Sequence, residues 1–271
     1  MMVFFIWWYN FLMDKTKRTW VVIGDSFGAI NEDPEAWTFG ALKKGYVDRT
    51  IDKLSFDVIK INISVSGYQT KDWLKEPIQK GDFYTILLGT NDWWGSDIKV
   101  RDESSYLNRE PNTILGNLGV LIDRIRDIDK DNPIFVMNPV ESALFIYKPD
   151  FYNNRSVIST NPVNGRTIKD IADAIYKYVR GYNIIPINLH DLSGITPANC
   201  VKFQRRVING EIKDIPYPEY LKYPFDPSIE TLYPYPEESF DYTYDGLHPT
   251  DKGSQVIAEI LAKYINEYYE E

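Results

Sequence analysis

Thr19-Trp20-Val21-Val22-Ile23-Gly24-Asp25-Ser26 is the stretch that decides the fold: a brief run dominated by Trp, Val and Ile, then a glycine, an acid and a hydroxyl. A short and almost wholly apolar run reads as a strand buried on both faces, the kind found in a parallel sheet with helices on either side. Gly24 ends it with a residue that lets the chain turn sharply. The Ser26 hydroxyl then lies at the carboxyl edge of the sheet, where open α/β folds bind their ligands. Glycine, aspartate and serine are also ordinary turn formers, so these three residues carry little by themselves.

Moving outward, the same grammar recurs. Ile59 to Gly67 holds a strand around Lys60-Ile61-Asn62-Ile63 and then a loop at Ser66-Gly67. Phe83 to Leu88 ends in Gly89-Thr90-Asn91-Asp92, and further strands are expected at Pro133 to Asn138 and Ile184 to Leu189. Helical spacing fills the intervals. Glu35 to Leu54 is expected to be helical with Trp37, Leu42 and Tyr46 buried, and Thr70 to Gln79 forms a shorter helix. Asn112 to Asp129 carries Ile114, Leu118, Leu121, Ile122 and Ile125 on one face. Arg166 to Arg180 repeats the pattern at Ile168, Ile171, Ala172, Ile175 and Val179. Val256, Ile257, Ile260, Leu261 and Tyr264 stripe a last helix capped by Thr250. Such alternation predicts a doubly wound α/β fold with a five-stranded parallel sheet.

The chemistry follows from asking what Ser26 needs. A serine hydroxyl is a poor nucleophile until a base takes its proton. The chain has two histidines. His248 lies in Asp245-Gly246-Leu247-His248-Pro249, where a carboxylate three residues upstream can accept the Nδ1 proton and leave Nε2 for Ser26. His190 follows an apolar run and precedes Asp191, and reads as a loop histidine at a strand end. An oxyanion needs donors. The backbone N–H groups of Ser26 and Gly67 and the side-chain amide of Asn91 all follow successive expected strands.

On these residues the chain resembles the SGNH hydrolases, also called GDSL-like lipases or acylhydrolases. The four residues that name the family match Ser26, Gly67, Asn91 and His248, with Asp245 as the third member of the triad. The blocks stand in the family's order, and the resemblance spans Thr19 to the C-terminal helix. Phe27 stands where the family usually has Leu, and a long insertion precedes Asp245. The resemblance implies a flavodoxin-like three-layer α/β/α sandwich and hydrolysis through an acyl-enzyme.

Composition narrows the partners. A net charge of −9 with scattered Lys and Arg argues against a grip on nucleic acid phosphates. One cysteine, Cys200, excludes an internal disulfide and reads as a passive small residue. With two histidines and neither a CxxC nor an HExxH word, no metal and no other cofactor is expected. Met1 to Met13 is intensely apolar, but about 20 residues are needed for a helix to span a bilayer, so no integral span is expected. Translation starting at Met13 would make residues 1–18 an extension on a soluble, cytoplasmic protein. A peripheral membrane foot or an atypical export signal are the rivals. Residues 19–271 read as one domain.

Two segments, at about 140–165 and 193–244, break the rhythm. The second holds seven of the 16 prolines and seven of the 20 tyrosines, ends at the triad turn, and is expected to be a rigid irregular wall bordering the site. Trp73, Trp93, Trp94, Tyr242 and Tyr244 are the candidate substrate contacts, because flat rings with polar handles suit a sugar better than an acyl tunnel. The expected substrate is therefore a small-molecule or glycan ester, most simply an O-acetyl group on a carbohydrate. Lipase, lysophospholipase or thioesterase action remains open; a carbohydrate-binding protein that uses the fold without catalysis has no need of the whole set Ser26, Gly67, Asn91, Asp245 and His248, and a metal-dependent phosphoesterase is short of ligands.

Overall fold

The computed structural model describes residues 17–95, 98–150, 152–155 and 157–270. The expectations about a start at Met13 and a membrane foot fall on residues outside the described ones. Five parallel strands make the central sheet: β1 (Arg18–Gly24), β2 (Val58–Asn62), β3 (Phe83–Leu87), β4 (Ile134–Met137) and, after two short strands in the first insertion, β5 (Phe145–Ile146) and β6 (Asn154–Arg155), the fifth, β7 (Ile184–Ile187). Their spatial order is β2-β1-β3-β4-β7, the order of a flavodoxin-like sheet.

Alternation along each strand sends side chains to two cores. Trp20, Val22, Phe83 and Phe135 face one side, where they meet Tyr46 and Val47 of α1 (Tyr46–Ile51) and, of the C-terminal helix Asp251–Glu270, Ile257, Leu261 and Ile265. Val21, Ile23, Tyr84, Ile86 and Val136 face the other, covered by α2 (Ile114–Ile128) and α3 (Ile168–Tyr178). With the Asp251–Glu270 helix as α4, the fold is a three-layer α/β/α sandwich. Thr113 and Thr167 cap α2 and α3 through their hydroxyls. Thr250 Oγ1 accepts the Gly253 N–H near the start of α4, as the capping position requires.

The register places the site. Gly24 pairs with Leu87, Leu87 with Met137, and Met137 with Ile187, so four strands end level. Whatever follows those strands therefore emerges along one rim.

Three expectations are corrected. The helix expected over Glu35 to Leu54 is broken into Pro34–Thr38 and Tyr46–Ile51, because Phe39 adopts a left-handed conformation and the chain turns there. Leu42 and Tyr46 are buried, but Trp37 is 51% exposed. Thr70 to Gln79 holds a single 3₁₀ turn, Asp72–Leu74. The second insertion is not free of regular structure. It contains a hairpin of β8 (Gln204–Ile208) and β9 (Glu211–Ile215), closed by Asn209-Gly210, both at positive φ as a two-residue hairpin turn demands.

That insertion is held by buried polar groups. Arg206 donates to the carbonyls of Tyr223 and Pro224 and pairs with Glu230, while the hydroxyls of Tyr233 and Tyr235 donate to Ile146 and Leu144 carbonyls at 2.9 and 2.7 Å. Among the described residues, no helix is long and apolar enough to cross a membrane.

Candidate active site

Ser26 opens a one-turn helix, Ser26–Ala29, directly after β1. The Asp25 carboxylate caps that turn by accepting the Phe27 N–H at 3.0 Å. Some 222 residues later, the turn before α4 brings His248 to the same rim. His248 Nε2 lies 2.9 Å from Ser26 Oγ, and Nδ1 lies 2.7 Å from Asp245 Oδ2. The other Asp245 oxygen accepts the N–H groups of Leu247 and His248 at 3.0 and 2.8 Å, so the carboxylate that orients the imidazole also builds the turn carrying it. Gly246 in that turn sits at φ +89, and a Cβ there would lie 2.1 Å from the Leu144 carbonyl oxygen. Only glycine meets both conditions.

The imidazole is sleeved in aromatic rings. Tyr244 stacks on it at 6.0 Å, Phe145 meets it edge-on at 5.3 Å, and Phe27 lies tilted at 6.1 Å. Burial disfavours the imidazolium, but the Asp245 charge and hydrogen bond, with a further contribution from Asp25, outweigh it and raise the His248 pKa above the ordinary value. The Asp245 carboxylate thus favours the imidazolium over the neutral ring.

Asn91 stands on the short helix Thr90–Trp94 that follows β3. Its amide nitrogen donates to the Tyr68 carbonyl at 3.1 Å and lies 3.4 Å from Asp25 Oδ2, a long contact that leaves one N–H only weakly held. Gly67 is exposed, at φ +83, and neither its N–H nor that of Ser26 has an acceptor among the described residues. Burial pushes Asp25 up to about 7.

The Asn91 turn rests on a buried network that sequence reading missed. Asp92, fully buried and pushed by burial up to about 6, accepts the Thr70 hydroxyl at 2.6 Å and the Thr70 N–H at 3.1 Å. The amide of Asn117 reaches Thr70 from α2, and Arg166 donates to the Asp92 and Gly95 carbonyls. Thr70 thereby ties the Gly67 loop to the Asn91 turn. No local word marks this network, since its members come from four separate segments.

A cavity of about 320 Å³ opens over Ser26 and His248. Of the five expected substrate contacts, it brings Trp94 and Tyr244 to its walls. Trp73 and Trp93 are buried in the core, where the Trp93 ring N–H donates to the Arg166 carbonyl, and Tyr242 packs under Lys252 away from the cleft. The walls instead include Trp37, Phe145, Tyr147 and Asn153. Exposure of a lone aromatic depends on how its loop is tied down, and the sequence around these rings carries no period that would show it.

His190 lies away from these walls, buried in an ion cluster with Nε2 3.0 Å from Glu141 and Nδ1 2.9 Å from Asp191. Burial pushes the Cys200 thiol up to about 12, which leaves it protonated and unreactive at neutral pH.

A flavodoxin-like sheet with a serine and histidine in contact on its carboxyl rim is a framework for acyl transfer. The chain belongs to the GDSL-like lipase/acylhydrolase family, a family of ester hydrolases, whose model matches residues 21–261. Among solved structures, one described as a possible lipase from Chitinophaga pinensis is 31% identical, covers 94% of this chain and 100% of its own, and superposes with a TM-score of 0.86. A protein from Lactobacillus plantarum shares the fold at 18% identity, covering 93% of this chain and 97% of its own with a TM-score of 0.55. A carbohydrate esterase of family 3 from Talaromyces cellulolyticus, at 14% identity, 93% and 98% coverage and a TM-score of 0.47, is too remote to bear on the substrate. No curated protein matches the chain significantly.

Proposed function

We propose that this acylhydrolase is a serine esterase that removes a short acyl group, most simply acetyl, from a carbohydrate hydroxyl. Ser26 Oγ attacks the ester carbonyl while His248 Nε2 takes its proton, and Asp245 stabilises the imidazolium. The tetrahedral oxyanion is received by the N–H groups of Ser26 and Gly67 and by the Asn91 amide, which gives up its long contact to Asp25. His248 then protonates the departing alcohol, and water repeats the sequence on the acyl-enzyme.

The observation that carries this reading is the unbroken line from Ser26 Oγ through His248 to Asp245, with links of 2.9 and 2.7 Å. A pure carbohydrate-binding protein has no use for a serine activated in this way. The substrate class is supported by the cleft. Its volume of about 320 Å³ is that of a small-ligand site, and Trp37, Trp94, Tyr147 and Tyr244 offer flat faces while Asn153 and Ser66 supply polar groups.

Ser26→Ala should abolish hydrolysis of p-nitrophenyl acetate with the fold intact, and should also abolish labelling by a fluorophosphonate. Turnover that survives the change would end the proposal. Comparing acetyl, butyryl and octanoyl esters with acetylated xylan tests the substrate: short-chain preference with acetate release from the glycan supports it, and strong octanoyl preference refutes it.

A further inference from the structure

His190 has no part in the line from Ser26 to Asp245. It follows β7 in the one-turn helix Leu189–Leu192, and its side chain is 7% exposed. Both ring nitrogens face carboxylates: Nε2 lies 3.0 Å from Glu141 Oε1, and Nδ1 lies 2.9 Å from Asp191 Oδ1. A neutral imidazole has one donor and one acceptor, so it would set a lone pair against one of these oxygens. Only the imidazolium donates to both. The backbone fixes its place as well, since the His190 N–H donates to Asn138 Oδ1 at 2.8 Å.

The two carboxylates differ in what they can do when a proton leaves that ring. The Asp191 side chain is 56% exposed and can turn into water, whereas that of Glu141 is 9% exposed. Glu141 also accepts the Ser159 hydroxyl, and its carbonyl oxygen lies 3.8 Å from Cys200 Sγ. A buried carboxylate that loses its cation must draw in water or move, and either disturbs the backbone that carries it.

That backbone is the strap of the triad turn. Two residues beyond Glu141, the Ala143 N–H donates to the Gly246 carbonyl at 2.8 Å, and further on the Ile146 N–H donates to the Asp245 carbonyl at 3.1 Å. Between them, Phe145 sets its ring edge-on to the His248 imidazole at 5.3 Å. The Ser142 N–H is pinned to Ser159 Oγ at 2.8 Å in the same stretch. The strap thus touches both the acid and the base of the triad, and its near end is anchored on His190.

Resting on the Ser26–His248–Asp245 reading above, we infer that His190 and Glu141 are positioning residues: the imidazolium of His190 clamps Glu141, and through it holds the strap that sets the triad turn. Burial alone would lower the His190 pKa, but the hydrogen bonds and charges of Glu141 and Asp191 outweigh it and raise it above the ordinary value. Among the described residues, those are the charges that act on the ring. Lys169 of α3, itself paired with Asp173, acts on both carboxylates, and the Cys200 thiol beside Glu141 stays protonated. The clamp is therefore closed at and below pH of about 6.5 and opens as pH rises through the raised value.

The test is the dependence of kcat on pH, from about 6 to about 9.5, for hydrolysis of p-nitrophenyl acetate by the wild type, Glu141→Gln and Glu141→Ala. Thermal unfolding confirms that each variant is folded. An NMR titration of the wild-type imidazoles runs beside it, with His248→Asn assigning the His190 signal. Wild-type kcat should fall by about tenfold or more on the alkaline side with KM unchanged, and its midpoint should coincide with the titration of His190. Glutamine keeps the contacts without the charge: its oxygen accepts from a neutral His190, its amide donates to Ser159 Oγ, and the Ser159 hydroxyl turns to the Ser142 carbonyl at 2.9 Å. Glu141→Gln should therefore keep kcat at neutral pH within about threefold and lose the alkaline limb, while Glu141→Ala should lower kcat about tenfold throughout. A wild-type kcat that stays level across this range, or an alkaline limb unaltered in Glu141→Gln, overturns the inference and leaves the triad reading standing. Turnover that survives Ser26→Ala removes the triad reading instead, and this inference with it.

Discussion

Gly246→Ala tests whether the triad depends on the strap that runs from Ala143 to Ile146. The strap and the triad turn are laced together: the Ala143 N–H donates to the Gly246 carbonyl at 2.8 Å and the Ile146 N–H to the Asp245 carbonyl at 3.1 Å. A methyl group at position 246 meets the Leu144 carbonyl oxygen at 2.1 Å and its carbon at 2.9 Å, against ordinary contacts of 3.4 Å or more. Backbone must therefore move by about 1 Å, and displacements of about 1 Å in a catalytic group lower rates by about 100-fold. To this is added about 1–2 kcal/mol for an L-residue held at positive φ and about 1–3 kcal/mol for overpacking. The expected outcome is a kcat on p-nitrophenyl acetate reduced by about 100-fold and stability to urea reduced by about 2–5 kcal/mol. Gly210→Ala is the control, because it sits at φ +81 with nothing within 4 Å of the added methyl and lies in the hairpin turn. It should lose only the backbone-strain part of the stability and keep its kcat. A Gly246→Ala enzyme with kcat within about threefold of wild type would refute the claim that this turn is sterically locked to the strap.

Further outcomes follow from the geometry. Asn91→Ala should lower kcat by about 100 to 1,000-fold, the usual consequence of losing one oxyanion donor, and a change confined to KM would remove Asn91 from that role. Because the base must be neutral and its pKa is raised, kcat/KM should fall as pH drops through a midpoint above about 6.5, the ordinary histidine value. A profile flat down to pH of about 5 would contradict His248 as base. Asp25 has its pKa raised from 3.8 to about 7 by burial, so the folded state binds more protons than the unfolded state between those values and this group's contribution weakens as pH rises. Urea titrations at several pH values should therefore show Asp25→Asn gaining on the wild type across that window. A difference independent of pH would show that Asp25 is not ionising there.

Much of the frame was legible because burial in a parallel sheet leaves a direct trace in composition. Runs such as Trp20 to Ile23 and Phe83 to Leu87 are apolar but for Thr85, and the structure buries both. The edge strand β2 is fainter, since Lys60 turns outward to pair with Asp48 and Glu32. Long helices with a sustained stripe, α2 and α3, were equally plain. The broken segment Pro34 to Ile51 was not, because the apolar spacing of Trp37, Leu42 and Tyr46 runs across the break that Phe39 and Gly40, both at positive φ, make between its two helices. The hairpin at 204–215 left a readable mark in Asn209-Gly210, obscured by the prolines around it. Trp37, Trp73, Trp93 and Trp94 are chemically alike, yet two are buried and two line the cleft.

Taken alone, the sequence determined which strands exist, which residues follow them, and therefore which chemical groups stand on one rim, because strand identity and turn chemistry are written in neighbouring residues. Only the tertiary structure decided that Ser26 and His248 meet across 222 positions, that Thr70 braces Asn91 through Asp92, and which aromatic rings line the cleft. Those relations depend on pairing register and on loops tied down by distant hydrogen bonds. Their free energy is shared among many remote residues, and no short window of sequence contains it.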